Sequence, residues 1–150
     1  MMKDIDEILY DALRADESLM EAVGGRIIST CFEVGPDGQD NTPLPCIIVT
    51  DDGWQNQPAN KDDDWETDED RVTASIEVDA DSPKEVKRIV RMCRSVVAAY
   101  IAQMRDNEEE IPELDSLQAS QLSWDWMKPC YWQTLTYNCT TNITDDHEQN

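Results

Sequence analysis

Apolar positions organise the start of the chain with a helical period. Ile5, Ile8, Leu9, Ala12 and Leu13 fall on one face. Asp4 precedes them as an N-cap, with Glu7 three residues on as the reciprocal partner of a capping box, which predicts a helix from about Ile5 to Arg14. Asp16 opens a second, short helix carrying Leu19, Met20 and Val23. Gly24-Gly25 stops it, because glycine takes positive φ without a steric cost. Arg26 to Val34 is rich in β-branched and aromatic residues and reads as a strand, broken by Gly35-Pro36-Asp37-Gly38 and followed by a polar loop to Pro45. Cys46-Ile47-Ile48-Val49-Thr50 is a short apolar run, the pattern of a central strand buried on both faces.

From Asp51 to Asp70 the chain turns polar and acidic, which predicts a flexible loop or a long hairpin arm with few groups to bury. Val72, Ala74, Ile76 and Val78 then alternate with polar residues, marking a strand with one wet face. Ser82-Pro83-Lys84-Glu85 is the clearest helix start: Ser82 caps, Pro83 sits where its missing N–H is harmless, and Glu85 completes the capping box. The helix carries Val86, Ile89, Val90, Cys93, Val96, Val97, Tyr100, Ile101 and Met104 on one face and is expected to end near Arg105. Asn107 to Ser120 is acidic and contains Pro112, so it reads as a loop anchored by Leu114 and Leu117. Two strands close the fold, with Leu122, Trp124 and Trp126 sharing one face of the first and Tyr131, Leu135, Tyr137 and Cys139 one face of the second. Trp124 and Trp126 are expected in the core, with Met127 to Cys130 as the turn. The class is α+β: a mainly antiparallel sheet of about five strands packed against an N-terminal helix and one long helix. Residues 1–142 are read as a single domain and 143–150 as a polar tail.

Composition narrows the functions. The 150 residues include 33 acids and 12 bases, a net charge of −21. Such a surface repels phosphates and anionic membranes at long range, so neither nucleic acid nor membrane is expected as a partner. No apolar run approaches the roughly 20 residues that span a bilayer. The five cysteines form no C-x-x-C pair and are read as reduced thiols of a cytosolic fold. The single histidine, His147, lies in the polar tail, which argues against Ser/His or Cys/His catalysis and against most zinc sites. The five glycines fall in no phosphate-cradling pattern. With so many acids, adjacent carboxylates carry little information, and the Asp62–Asp70 stretch lacks the glycine and ligand spacing of a calcium loop. No catalytic, cofactor-binding or metal-ligating residues are expected, and no cofactor.

Charge distribution is more informative. The segment Lys84 to Arg105 holds six bases and one acid, a net of +5, which leaves −26 for the remainder. Two readings stand. The bases compensate acids of the same subunit, or Lys87, Arg88, Arg91 and Arg94 receive an acidic patch of a neighbouring protein. Trp54 and Trp65 lie in polar sequence, where a large aromatic contributes little to folding; contact with a partner is one explanation, since aromatics are enriched at interfaces.

Ile8-Leu9-Tyr10-Asp11-Ala12-Leu13 followed by Leu19-Met20-Glu21-Ala22-Val23-Gly24-Gly25-Arg26-Ile27 resembles the opening of small bacteriophage and prophage tail-completion (tail-terminator) proteins. Pro43-Leu44-Pro45-Cys46-Ile47-Ile48-Val49 is similar to that family's proline-led second strand, and Arg71 to Val97 to its alternating strand and long helix. The resemblance covers roughly Met2 to Asn142 and extends to the fold of the lambda U protein. The acidic Asp62–Asp70 insertion, the long Asn107–Ser120 segment and the tryptophan-rich end depart from it. It implies a structural, non-enzymatic subunit that forms a homo-oligomeric ring on the tail tube, stops its growth and presents a surface to the head connector. Its setting would be the bacterial cytoplasm during assembly and then the virion tail. A neck or head–tail connector protein would share this size and these partners. An acidic mimic of DNA is a reading of another class, against which the concentrated +5 segment stands.

Overall fold

The computed structural model describes residues 2–29, 42–56 and 69–142. Helix α1 (Ile5–Ala15) buries Ile5, Ile8, Leu9, Ala12 and Leu13, the stripe expected from their spacing. Asp4 occupies the N-cap position, but its side chain makes no capping hydrogen bond, so the expected capping box does not form. Helix α2 (Glu17–Ala22) is capped as expected: Asp16 accepts from the Leu19 N–H at 2.8 Å. Gly24 and Gly25 then turn the chain at φ +58° and +75°. Strand β1 (Ile27–Ser29) is the described part of the stretch read as Arg26–Val34; the rest lies outside the described residues.

Arg26 ties β1 to the entry of the next strand, donating from Nε to the Pro45 carbonyl at 2.9 Å and from Nη2 to that of Leu44 at 3.1 Å. Strand β2 (Cys46–Asn56) is buried from Cys46 to Val49, as its apolar run requires. It continues past a bulge at Gly53 (φ +103°) as one arm of a long hairpin with β3 (Glu69–Ala80). Of the two readings of Asp51–Asp70, its described ends therefore form hairpin arms, and residues 57–68 lie outside the described residues. Helix α3 (Pro83–Asp106) starts where Ser82 accepts from the Glu85 N–H at 3.2 Å. It buries Val86, Ile89, Val90, Cys93, Val97, Ile101 and Met104.

The segment expected as a loop after α3 is in part a strand. Strand β4 (Glu113–Ala119) pairs antiparallel with the long strand β6 (Cys130–Asn142). A register shift between Leu114 and Ser116 accommodates one extra residue there. The bulge puts Leu114 and Leu117 on the same face although they are three apart, which hides the strand from a period-two reading. Strand β5 (Ser123–Asp125) pairs with the start of β6. The sheet order is β1-β2-β3-β6-β4, with β5 beside β6. The described residues form six strands, where about five were expected. The sheet is mainly antiparallel, with one parallel pair, β1 on β2.

Helices α1 and α3 cover one sheet face, and α2 packs against both of them. Ile47 and Val49 of β2, Ala74, Ile76 and Val78 of β3, and Leu135, Tyr137 and Cys139 of β6 form that core with the apolar faces of α1 and α3. The opposite face carries small polar groups, where the Ser75 hydroxyl hydrogen-bonds to Asp52 and Thr73 to Asn138. Its expected wetness is only partial, because β3 is central: Ser75 and Asp79 are buried.

Candidate docking surfaces

The basic residues of α3 are positioned by the packing of the helix. Its apolar stripe faces the sheet, so Lys84, Lys87, Arg88, Arg91 and Arg94 project outward and are all exposed. Arg88 stands 4.0 Å from Glu85 and points an N–H at the Met92 sulfur at 3.7 Å. An exposed pair of that length contributes little. Among the described residues no ion pair within 4.0 Å joins Lys84, Lys87, Arg91 or Arg94 to an acid. Among the described residues such pairing reaches only Arg88 of the five.

The tryptophans divide differently from the sequence expectation. Trp54 is 72% exposed at the far end of β2, as its polar surroundings suggested. Trp65 lies outside the described residues. Trp124 and Trp126, expected in the core, are 38% and 87% exposed, and Met127 beside them is 90% exposed. Alternation assigned a face, but β5 is only three residues long and Trp126 already belongs to the turn. Among the described residues nothing covers Trp126 and Met127 there. Trp124 packs edge-on against Tyr131 (4.7 Å between centroids) and against Trp126 (6.3 Å).

Beneath this turn lies a buried polar cluster with no local signal in the sequence. Cross-strand register places Cys46 opposite Asp79. The turn swings Lys128 inward, with its Nζ 3.6 Å from Asp79 Oδ2 and 3.6 Å from Cys46 Sγ. Asp79 and Lys128 are only 3% and 8% exposed. Burial pushes the Glu77 carboxyl up to about 8, and a hydrogen bond shared with Asp79 and the charge of Asp79 push the same way; Lys128 partly opposes them. Burial likewise raises the thiols of Cys93, Cys130 and Cys139 to about 12, with Asp79 adding to the effect at Cys130. Such thiols stay protonated and are inert as nucleophiles.

Two grooves open at the Trp54 end. One, of about 550 Å3, is polar and runs over the sheet face away from the helices, between Gln55, Arg71, Thr73, Asn138 and Thr140. The other, of about 250 Å3, lies at the N-terminus of α1 and mixes acids with apolar walls. Among the described residues no group of three or more His, Cys, Asp or Glu is placed to hold a metal ion, and no helix is long and apolar enough to cross a membrane.

The described residues thus form a small α+β subunit with an exposed basic helix face and exposed aromatics. The sequence matches the tail completion protein gp17 family over residues 7–118. The chain belongs to this family of phage tail structural proteins, as the residues at its N-terminus suggested. No curated protein matches the chain.

Proposed function

We propose that the chain caps the phage tail tube and prepares it for joining to the head, acting as one copy of a homo-oligomeric ring and without catalysis. Its partners are then further copies of itself, the tail tube protein and the head connector. It acts in the bacterial cytoplasm during assembly and remains in the virion tail. Membership of the tail completion family supports the setting. The observation that carries the docking role is the exposed row Lys87, Arg88, Arg91 and Arg94 on a chain of net charge −21. Separated cations of this kind set orientation and association rate more than affinity, and they act best on an acidic neighbour. Exposed Trp54 adds apolar contact area, and Trp65, which lies outside the described residues, is proposed as a further partner contact.

The test is growth of purified tail tubes with and without the chain. Capping predicts tubes that stop lengthening once the chain is added, with the chain bound at one end only. Unrestricted growth, or binding along the tube wall, contradicts it. Binding to isolated connectors but never to tube ends would favour a neck protein instead.

A further inference from the structure

Cys46, Asp79 and Lys128 bring a thiol, a carboxylate and an amine together beneath the β5–β6 turn. Lys128 Nζ stands 3.6 Å from Cys46 Sγ and 3.6 Å from Asp79 Oδ2. The same carboxylate oxygen lies 4.0 Å from the sulfur. All three residues are buried, Cys46 fully and Lys128 at 8% exposure. Cross-strand register sets Cys46 against Asp79. Asp125 Oδ1 holds the turn, accepting from the N–H groups of Met127 at 2.9 Å and Lys128 at 3.4 Å. The lysine is therefore kept over the sulfur by the backbone of the turn as well as by charge.

Cys46 differs in this from the other described cysteines: it is the one with a lysine nitrogen against its sulfur. Burial pushes Cys93, Cys130 and Cys139 up to about 12, which keeps them protonated and slow toward oxidants. A cysteine that a peroxide does oxidise becomes a sulfenic acid, and a sulfenic acid condenses with a thiol to a disulfide or with a nitrogen to a sulfenamide. The nitrogen nearest Cys46 is held in place before any oxidation, so the condensation has its second reactant already positioned.

We propose that Cys46 and Lys128 are the site of a peroxide-driven covalent cross-link, the sulfur of one bonded directly to Nζ of the other. Hydrogen peroxide, little larger than water, enters along the Lys128 side chain. It places one oxygen between the Cys46 sulfur and its hydrogen and leaves as water; sulfur loses two electrons and the peroxide gains them. The Lys128 ammonium then gives a proton to the sulfenic hydroxyl. The freed nitrogen lone pair attacks sulfur, the S–O bond breaks and a second water departs. The nitrogen passes one further proton to Asp79, which no longer faces a cation. One peroxide is consumed, and two equivalents of a thiol reductant reverse the bond, restoring thiol and amine as they become a disulfide. The link ties the first residue of β2 to the β5–β6 turn, across 82 residues of chain. Such a closure restricts the unfolded chain and stabilises the fold. A reducing cytoplasm keeps the pair open and an oxidising exterior closes it. Hardening of a released particle by this bond rests on the tail reading above, while the bond itself is a property of the free chain.

Peroxide treatment of the whole chain, followed by mass spectrometry before and after digestion, tests the proposal. The wild type should lose two hydrogens, yield one linked peptide pair holding Cys46 and Lys128, and melt at a higher temperature than the reduced chain. Dithiothreitol should restore the original mass and melting curve. Cys130→Ser should still form the link, which separates it from a Cys46–Cys130 disulfide. Lys128→Arg keeps a cation but no attacking amine, and should stop at a Cys46 sulfenic acid trapped by dimedone. Wild type unfolded in urea should not form the link, a control that needs no variant to fold. A disulfide in place of the linked pair, a Cys46 that keeps the oxygen in the folded wild type, a Cys46 left unmodified, or equal yield from the unfolded chain overturns the proposal. Tube-end binding is measured on reduced chain in parallel, so its failure refutes capping and leaves the cross-link standing.

Discussion

Replacing Lys128 by Met should cost far more than its position in a turn suggests. The lysine side chain is 10% exposed and its Asp79 partner 4%, with 3.6 Å between charges. Removing one member of a buried pair costs about 3–5 kcal/mol, because the other charge stays in a poorly solvated site. The 3.6 Å separation points to the lower end, about 3 kcal/mol. For a chain of this length 1 kcal/mol moves the melting temperature by about 2–4 °C, so Lys128→Met should melt about 6–12 °C below the wild type. An exposed pair would contribute only about 0–1 kcal/mol, which the same assay distinguishes. The loss should shrink at acid pH, where Glu77, raised to about 8 by burial and by Asp79, carries its proton and adds no second negative charge to the site. Lys128→Met/Asp79→Leu should recover part of it, since an apolar replacement of both partners removes the buried charge altogether. Urea unfolding at pH 5 and pH 8 measures all three. A single variant within about 1 kcal/mol of the wild type at pH 8 would refute the reasoning.

Three other outcomes are expected. Glu77 holds its proton to about pH 8 in the fold against 4.5 for the free group; the folded state thus binds more protons than the unfolded chain between those values, and its contribution to stability is lost as pH rises through that window. Glu77→Gln should flatten that part of the stability–pH curve, and an unchanged slope would contradict the assignment. Reversing Arg91 and Arg94 to Glu should leave the melting curve within about 1 kcal/mol, since both are exposed, while impairing assembly on tube ends; raised salt should weaken the wild type in the same direction. If instead the double reversal melts the subunit while its folded fraction assembles normally, the basic face serves stability alone. The Tyr137 hydroxyl is buried with no hydrogen-bond partner among the described residues, so Tyr137→Phe should be neutral or stabilising by about 1 kcal/mol in urea unfolding, and a clear loss would point to a partner for that hydroxyl.

What was legible in the sequence follows from how local each signal is. Ser82-Pro83 and the nine-residue apolar stripe specify α3 within a few turns of chain, and the run Cys46–Val49 specifies a central strand without knowledge of its neighbours. Strand β4 escaped because its bulge moves Leu117 out of step with Leu114. Trp124 and Trp126 were misplaced because alternation reports a face, while burial depends on whether another element covers it. The Cys46–Asp79–Lys128 cluster depends on cross-strand register and on a turn that reverses a lysine inward, and neither leaves a trace in local pattern. Of the residues proposed for docking, the basic row of α3 and Trp54 were readable as charge and composition; the exposed Trp124 and Trp126 were visible as residues but assigned to the core.

The central claim concerns position, and imaging assembled tails measures it most directly. Electron microscopy of purified particles carrying a labelled copy of the chain should place the label in one ring at the head-proximal end of the tube. Label spread along the tube, at the distal tip or within the connector would contradict the account.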